Sequence, residues 1–174
     1  VALSYKELTN QLISDGFSPE DAEYGVRNCG ANWNLQALKS AKEYLNVEAY
    51  SYESLKKQLI EEELFTPEQA EYGVRNCGAD WNLQAAKSAR EYLAAEIFSS
   101  KVLKEQLIEE ELFTPEEAEY GVRNCGADWG MQAVRCIKEY CDPEEDSKEE
   151  IAETLADEGF TEDEVNYAIS KMKI

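Results

Sequence analysis

The sequence predicts an all-α protein made of tandem three-helix repeats, and three observations carry that reading. The phrase EYGVRNCGADWN at Glu71–Asn82 recurs with few changes at Glu23–Asn34 and Glu119–Gly130. Phe17, Phe65 and Phe113 each open a Phe-Ser/Thr-Pro step 48 residues apart, and Phe160-Thr161-Glu162 follows 47 residues later. Helix-favouring Glu, Ala, Leu, Lys and Gln dominate a chain with only 9 Gly and 4 Pro, and no segment alternates with period two. The units read as three full repeats, 1–48, 49–96 and 97–141, followed by an acidic C-terminal two-helix half repeat, 142–174.

Each element has its own local signal. The first helix of a unit starts at Ser4, Ser51, Ser99 or Ser147, and Ser4-x-x-Glu7 and Ser147-x-x-Glu150 have the capping-box spacing. Leu3, Tyr50 and Phe98 precede the cap, and Leu8, Leu55 and Leu103 stand at the fourth helical position, a hydrophobic-staple arrangement. The second helix opens with a hydroxyl cap and, in three copies, a proline: Ser18-Pro19, Thr66-Pro67, Thr114-Pro115 and Thr161-Glu162. It runs to about Cys29 and its copies, where Gly30, Gly78 and Gly126 are placed to cap in the left-handed region. The third helix takes Asn32, Asp80 or Asp128 as its N-cap. It carries Trp33, Ala37, Ala41, Tyr44 and Leu45 on one face, with Trp81, Ala85, Ala89, Tyr92 and Leu93 as the second copy. It leads through a short connection into the next first helix.

The repeated phrase reads as a packing formula. Cys29, Cys77 and Cys125 occupy one slot per repeat, and the half repeat has Met172 there, which suits a small apolar slot better than a metal or redox group. Zinc would need clustered ligands, and each unit offers one thiol in a chain with no histidine. Cys136 and Cys141 occur only in the third unit, so a disulfide from either to Cys125 stays open, and five cysteines leave at least one thiol unpaired. Gly25, Gly73 and Gly121 sit inside the second helix and are matched by Ala168, which points to close helix approach, with Ala37, Ala41, Ala85 and Ala89 as candidate opposing surfaces. Tyr24, Tyr72, Tyr120, Trp33, Trp81 and Trp129 join the three cysteines as expected core residues, the tryptophans having partner contact as the other reading.

Function classes narrow by elimination. A net charge of −20 repels phosphate backbones and anionic membranes, so neither nucleic acid nor direct membrane insertion of this segment is expected. No nucleophile is paired with a base, and no phosphate loop or calcium loop occurs, so the expectation is a non-enzymatic protein without cofactor or metal. What stands out on the surface is charge. Acidic runs Glu61-Glu62-Glu63 and Glu109-Glu110-Glu111 end the first helix in two units, and nearly half of the excess negative charge lies within 142–174. Arg27, Arg75 and Arg123 hold one repeated slot, either in an ion pair with a nearby acid or in contact with a partner. These nine residues are the candidate partner-binding set, and a protein with a basic surface is the expected partner.

The stretch FTPEQAEYGVRNCGADWNLQAAKSAREYL, Phe65–Leu93, resembles the repeat of the Ltp family, the host cell surface-exposed lipoproteins of Gram-positive bacteria and their temperate phages. The pattern comprises Glu-x-Ala-x-Tyr, present at Ala22/Tyr24, Ala70/Tyr72 and Ala118/Tyr120. It continues with Trp-Asn-x-Gln-Ala at Trp33/Gln36/Ala37 and Trp81/Gln84/Ala85, with Gly130 in place of Asn at Trp129/Gln132/Ala133. The resemblance implies small helix-turn-helix-like repeats displayed outside the cell on a lipid anchor attached N-terminal to this segment. It also implies a role of phage-encoded members in superinfection exclusion, with a basic segment of an incoming phage tail as the partner. A weaker similarity to ubiquitin-associated domains supplies the alternative, a generic adaptor for protein–protein interaction.

Overall fold

The computed structural model describes residues 2–142 and 144–172; Val1, and Pro143, Lys173 and Ile174 of the expected last unit, lie outside the described residues. Among the described residues there are eleven α-helices and no strand. They are α1 (Tyr5–Ser14), α2 (Pro19–Asn28), α3 (Trp33–Val47), α4 (Tyr52–Glu61), α5 (Pro67–Asn76) and α6 (Trp81–Ala95), then α7 (Ser100–Glu109), α8 (Pro115–Asn124), α9 (Trp129–Tyr140), α10 (Lys148–Asp157) and α11 (Glu162–Lys171).

The expected helix starts are where the chain puts them. Side-chain oxygens of Ser4, Ser18, Asn32, Ser51, Thr66, Ser99, Thr114, Asp128, Ser147 and Thr161 accept from the third backbone N–H of their helices. Reciprocal capping boxes form at Ser51/Ser54, Thr66/Gln69, Thr114/Glu117, Ser147/Glu150 and Thr161/Glu164. At Ser4 the hydroxyl accepts from Glu7 N at 3.0 Å, the first half of the expected box. Gly30, Gly78 and Gly126 adopt φ of 72°, 80° and 83°, the left-handed stop foreseen for the second helix. The stop after the first helix differs between copies. Gly16 and Gly159 take positive φ in the shorter loops, whereas Leu64 and Leu112 do so (58° and 60°) in the longer ones. A leucine there is strained by about 1–2 kcal/mol. The loop is nevertheless held, because Phe65 N and Phe113 N reach back to Leu59 O and Leu107 O at 3.0 Å and the phenylalanine rings are buried.

The chain divides into two compact units, Val1–Trp81 and Asn82–Ile174. In the first, α1 pairs with α2, and α3 packs against the α4–α5 hairpin that follows it. Its core joins Ala37 and Ala41 of α3 to Leu55, Leu59, Phe65, Ala70 and Val74. In the second, α6 and the α7–α8 hairpin share a core of Ala85, Ala89, Leu103, Leu107, Phe113, Ala118 and Val122. A third core joins Ala133 and Ile137 of α9 to Ile151, Leu155, Phe160, Val165 and Ala168 of α10 and α11.

Three-helix repeats are therefore present, but packing groups the helices one step later than sequence order does. The expected boundaries at 48/49 and 96/97 separate α3 from α4 and α6 from α7, which are the helices that pack together. The C-terminal pair is completed by α9, and among the described residues no helix lies ahead of α1–α2. The physical reason is steric complementarity between a third helix and the next hairpin. A Cβ added at Gly73 would stand 2.7 Å from Ala37 O, and one at Gly121 2.8 Å from Ala85 O. These glycines let two helix backbones touch, as their mid-helix position implied. The last copy is built differently. There the hairpin has Ala168, and the ring of Tyr167 occupies the space where a Cβ at Gly130 would come within 2.6 Å of it. At position 130, where the other copies have Asn, glycine thus leaves room for the Tyr167 ring.

Gly73→Ala should lower stability by about 1–3 kcal/mol through overpacking, even though alanine is the better helix former. Urea unfolding of Gly73→Ala and of Gly121→Ala measures this, and an unchanged midpoint would contradict the close contact.

Candidate functional site

A chain of polar side-chain contacts crosses the start of the first three hairpins. Tyr5 lies edge-on to Trp33 with ring centroids 5.4 Å apart, and Tyr52 lies likewise on Trp81 at 5.5 Å. The Tyr5 hydroxyl donates to Glu23 Oε1 at 2.7 Å, and the Tyr52 hydroxyl donates to Glu71 Oε1 at 2.7 Å. The same carboxylates accept from Arg27 and Arg75, four residues on, at 2.9 Å. Lys56 adds a contact to Glu71 at 3.2 Å. In the third copy Ser100 stands where the tyrosine was, and Glu119 is held by Lys104 at 2.8 Å and Arg123 at 2.6 Å. A cavity of about 390 Å³ is bordered there by Ser100, Lys104, Glu119, Arg123 and Trp129. The last hairpin has Lys148, Asn166 and Ser170 in these slots and carries no such cluster.

The carboxylates respond as hydrogen bonding to their charged form requires. The Tyr5 hydroxyl, then Arg27, holds Glu23 below the usual carboxylate range. Tyr52, then Lys56, does so for Glu71, and the Lys104 hydrogen bond with the Arg123 charge does so for Glu119. The arginines therefore take the ion-pair place that one reading gave them, while their side chains stay more than 70% exposed. Glutamate four residues before arginine inside EYGVR was the sequence signal for this pair. The tyrosine and lysine partners were missed because they come from another helix.

The acidic runs divide in two. Glu61, Glu62, Glu109 and Glu110 are exposed at the ends of α4 and α7. Glu63 and Glu111 instead accept from the Tyr44 and Tyr92 hydroxyls of the preceding third helix, the latter at 2.7 Å. Glu63 also faces Glu7 of α1, whose carboxyl is pushed above the usual range, first by burial and then by the Glu63 charge.

Several expected core residues are not in the core. Tyr24 is 73% exposed and Tyr72 37%, and Cys29 is exposed. The tyrosine precedes the close-contact glycine, so it flanks the helix seam and does not enter it. Tyr120, Cys77, Trp33, Trp81 and Trp129 are half-buried, and Cys125 is buried as expected. Each repeat cysteine caps its helix, and its thiol donates to the carbonyl three residues back: Cys29 to Val26 at 3.1 Å, Cys77 to Val74 at 3.0 Å and Cys125 to Val122 at 3.2 Å. Asn28, Asn76 and Asn124 donate in the same region to Tyr24, Tyr72 and Tyr120 carbonyls, satisfying the helix end. All five cysteines are free thiols, so the open disulfide to Cys125 is not formed. Burial pushes the Cys136 thiol up to about 11. Among the described residues no three His, Cys, Asp or Glu side chains converge as metal ligands, and no helix is long and apolar enough to cross a membrane.

Tandem three-helix units, each with a helix seated on the following hairpin, and a tyrosine–glutamate–arginine cluster on the first two hairpins, α1–α2 and α4–α5, define a helical-repeat protein. The chain belongs to the family of host cell surface-exposed lipoproteins, whose model matches residues 32–77, 80–125 and 128–172. Each match opens beside a third helix and closes at the end of the next hairpin, which is the grouping that packing selects. The chain is also similar to the solved structure of Ltp, a superinfection exclusion protein from the Streptococcus thermophilus temperate phage TP-J34. Identity is 32%, the alignment covers 54% of this chain and 96% of that one, and the TM-score is 0.52. No curated protein matches the chain.

Two expectations follow from the side-chain contacts. Tyr52→Phe removes the main donor to Glu71, so the Glu71 pKa should rise toward the ordinary range in a carbon-detected NMR titration. A folded-state carboxyl held low stabilises the fold above the ordinary carboxylate range, and that contribution is lost as pH falls through the folded value. The variant should therefore lose less stability on acidification than the parent. Alkylation at pH 8 followed by mass spectrometry should label Cys29 first and Cys136 only on unfolding, by exposure and thiolate content. Early labelling of Cys136 would contradict its burial.

Proposed function

We propose that the chain is a non-enzymatic, surface-displayed module that acts in phage superinfection exclusion by capturing a basic segment of an incoming tail protein. The observation that carries this reading is 32% identity over nearly the whole length of a phage superinfection exclusion protein, within a family of surface-exposed lipoproteins. Chemistry supports the choice of partner. The net charge is −20, and Glu61, Glu62, Glu109 and Glu110 stand exposed at the hairpin tips. Helices α10 and α11 add a second acidic surface, with Glu149, Glu153, Asp157, Glu158, Glu162 and Asp163 exposed. A lysine- or arginine-rich strand or helix would gain from several of these carboxylates at once without desolvating any of them fully. Arg27, Arg75 and Arg123 are tied to their own glutamates, and each keeps free guanidinium donors that a carboxylate or backbone carbonyl of the partner can take. A lipid anchor ahead of the repeats would hold these faces where injected material must pass.

Electrostatic capture is sensitive to salt. Binding of a basic tail-protein fragment, measured by calorimetry, should weaken at least about tenfold between about 0.05 M and about 0.5 M salt. Equal affinity at both would remove the mechanism. In a host displaying the chain on a lipid anchor, plaque counts of a sensitive phage should drop. Replacing Glu61, Glu62, Glu109 and Glu110 by Gln should restore part of them, and unchanged plaque counts with the parent chain would overturn the exclusion reading.

A further inference from the structure

The α1–α2 hairpin keeps the residues that receive a helix elsewhere in the chain, yet their receiving face is open. Phe17 is 55% exposed, against 2% for Phe65 and Phe113 and 6% for Phe160. Gly25 is exposed where Gly73 and Gly121 are buried, and Cys29 is exposed where Cys125 is buried. Ile13 and Tyr24 extend the same open surface. Gly25 is the telling residue. A glycine inside a helix is destabilising relative to alanine, and at positions 73 and 121 the backbone of the preceding helix requires it. At Gly25 an added Cβ would meet only Leu12 Cδ1, at 4.0 Å. Nothing within the described residues calls for glycine there, whereas a helix seated as α3 is on α4–α5 would.

We infer that this face is a docking groove for a helix of the α3 and α6 class, joined ahead of α1 as α3 is joined ahead of α4. The occupant has small residues four apart, as in Ala37/Ala41 and Ala85/Ala89, so that its backbone can lie against Gly25. Its link to α1 is short, since four residues separate α3 from α4 and four separate α6 from α7. Once seated it covers Phe17 and Cys29, and it makes the first hairpin a repeat of the same construction as the other three. The equivalence of this hairpin to three others, each of which receives the helix that precedes it in its own chain, selects a helix in cis over a second copy of the chain. The α3, α6 and α9 helices of a second copy are already committed to their own hairpins.

The test places a second copy of residues 79–96, the α6 helix with its link, directly ahead of Ala2 in the full chain. Cys29 alkylation and hydroxyl-radical oxidation of Phe17 should each slow by about tenfold or more, as expected for a side chain that reacts only on local opening. Gly25→Ala in the extended chain should return both rates to those of the parent, while in the parent itself it should leave both unchanged. Rates that do not slow on extension, or protection that survives Gly25→Ala, would overturn the groove. Sedimentation of the parent chain separates the remaining occupant: a dimer that Gly25→Ala converts to monomer would assign the groove to a second copy and overturn the docking in cis.

Discussion

The contact on which the rest of the molecule depends is the touching of two helix backbones, where Gly73 meets the Ala37 carbonyl and Gly121 meets that of Ala85. At this separation only small side chains fit along the seam, which accounts for Ala37, Ala41, Ala85 and Ala89 on the third helices and for Ala70 and Ala118 beside the glycines. The bulk of each core must then come from elsewhere. It comes from the first helix, through Leu55 and Leu59 or Leu103 and Leu107, and from the phenylalanine that closes the loop. Small seam, large flank and ring plug form one solution to packing three short helices, and the chain uses it twice with little change. In the third use the hairpin carries Ala168 in the glycine slot, and Gly130 of α9 makes room for the ring of Tyr167.

Around those cores the polar surface is organised to tolerate a large excess of acid. Tyrosine hydroxyls and a few cations are spent on particular glutamates: Glu23, Glu63, Glu71, Glu111 and Glu119 each have a named donor. Three of these, Glu23, Glu71 and Glu119, are held in the charged form and favour the fold at neutral pH. Glu7 works in the opposite sense, since burial and the Glu63 charge favour its proton, so its strain is relieved as pH falls. Carboxylates such as Glu62 and Glu110 at the hairpin tips and Glu149, Glu153, Glu162 and Asp163 along α10 and α11 are open to solvent. Acids held by a neighbouring helix and acids open to solvent thus alternate within the same run, Glu63 in one role and Glu62 in the other, while Glu61 makes only an exposed contact to Lys57 at 4.0 Å.

Local chemistry was legible from the letters because it is decided within one turn of chain. The hydroxyl caps, the proline at the first turn and the left-handed glycine stop all depend on residues at most four apart. The pairing of arginine with glutamate was legible for the same reason, as an i, i+4 spacing. The exposure of Tyr24 and Cys29 was not, because it depends on whether a neighbouring helix is present at that copy. Tyr52 on Glu71 and Tyr44 on Glu63 were also hidden, since each joins residues 19 positions apart. Their recurrence with the repeat period was a trace of them that only a known helix arrangement makes readable.

What the sequence by itself determined is the period: a purely helical chain, its caps and stops, and a family signature repeated along its length. Tertiary structure decided the phase. A tandem array of three helices can be cut after any of them without changing its periodicity, and four residues connect each side of α3 and of α6 to the neighbouring helices. Side-chain volume breaks the tie, because Ala37 and Ala85 fit the glycines of the hairpin ahead of them in the chain, and a helix backbone can make that close contact on only one hairpin at a time.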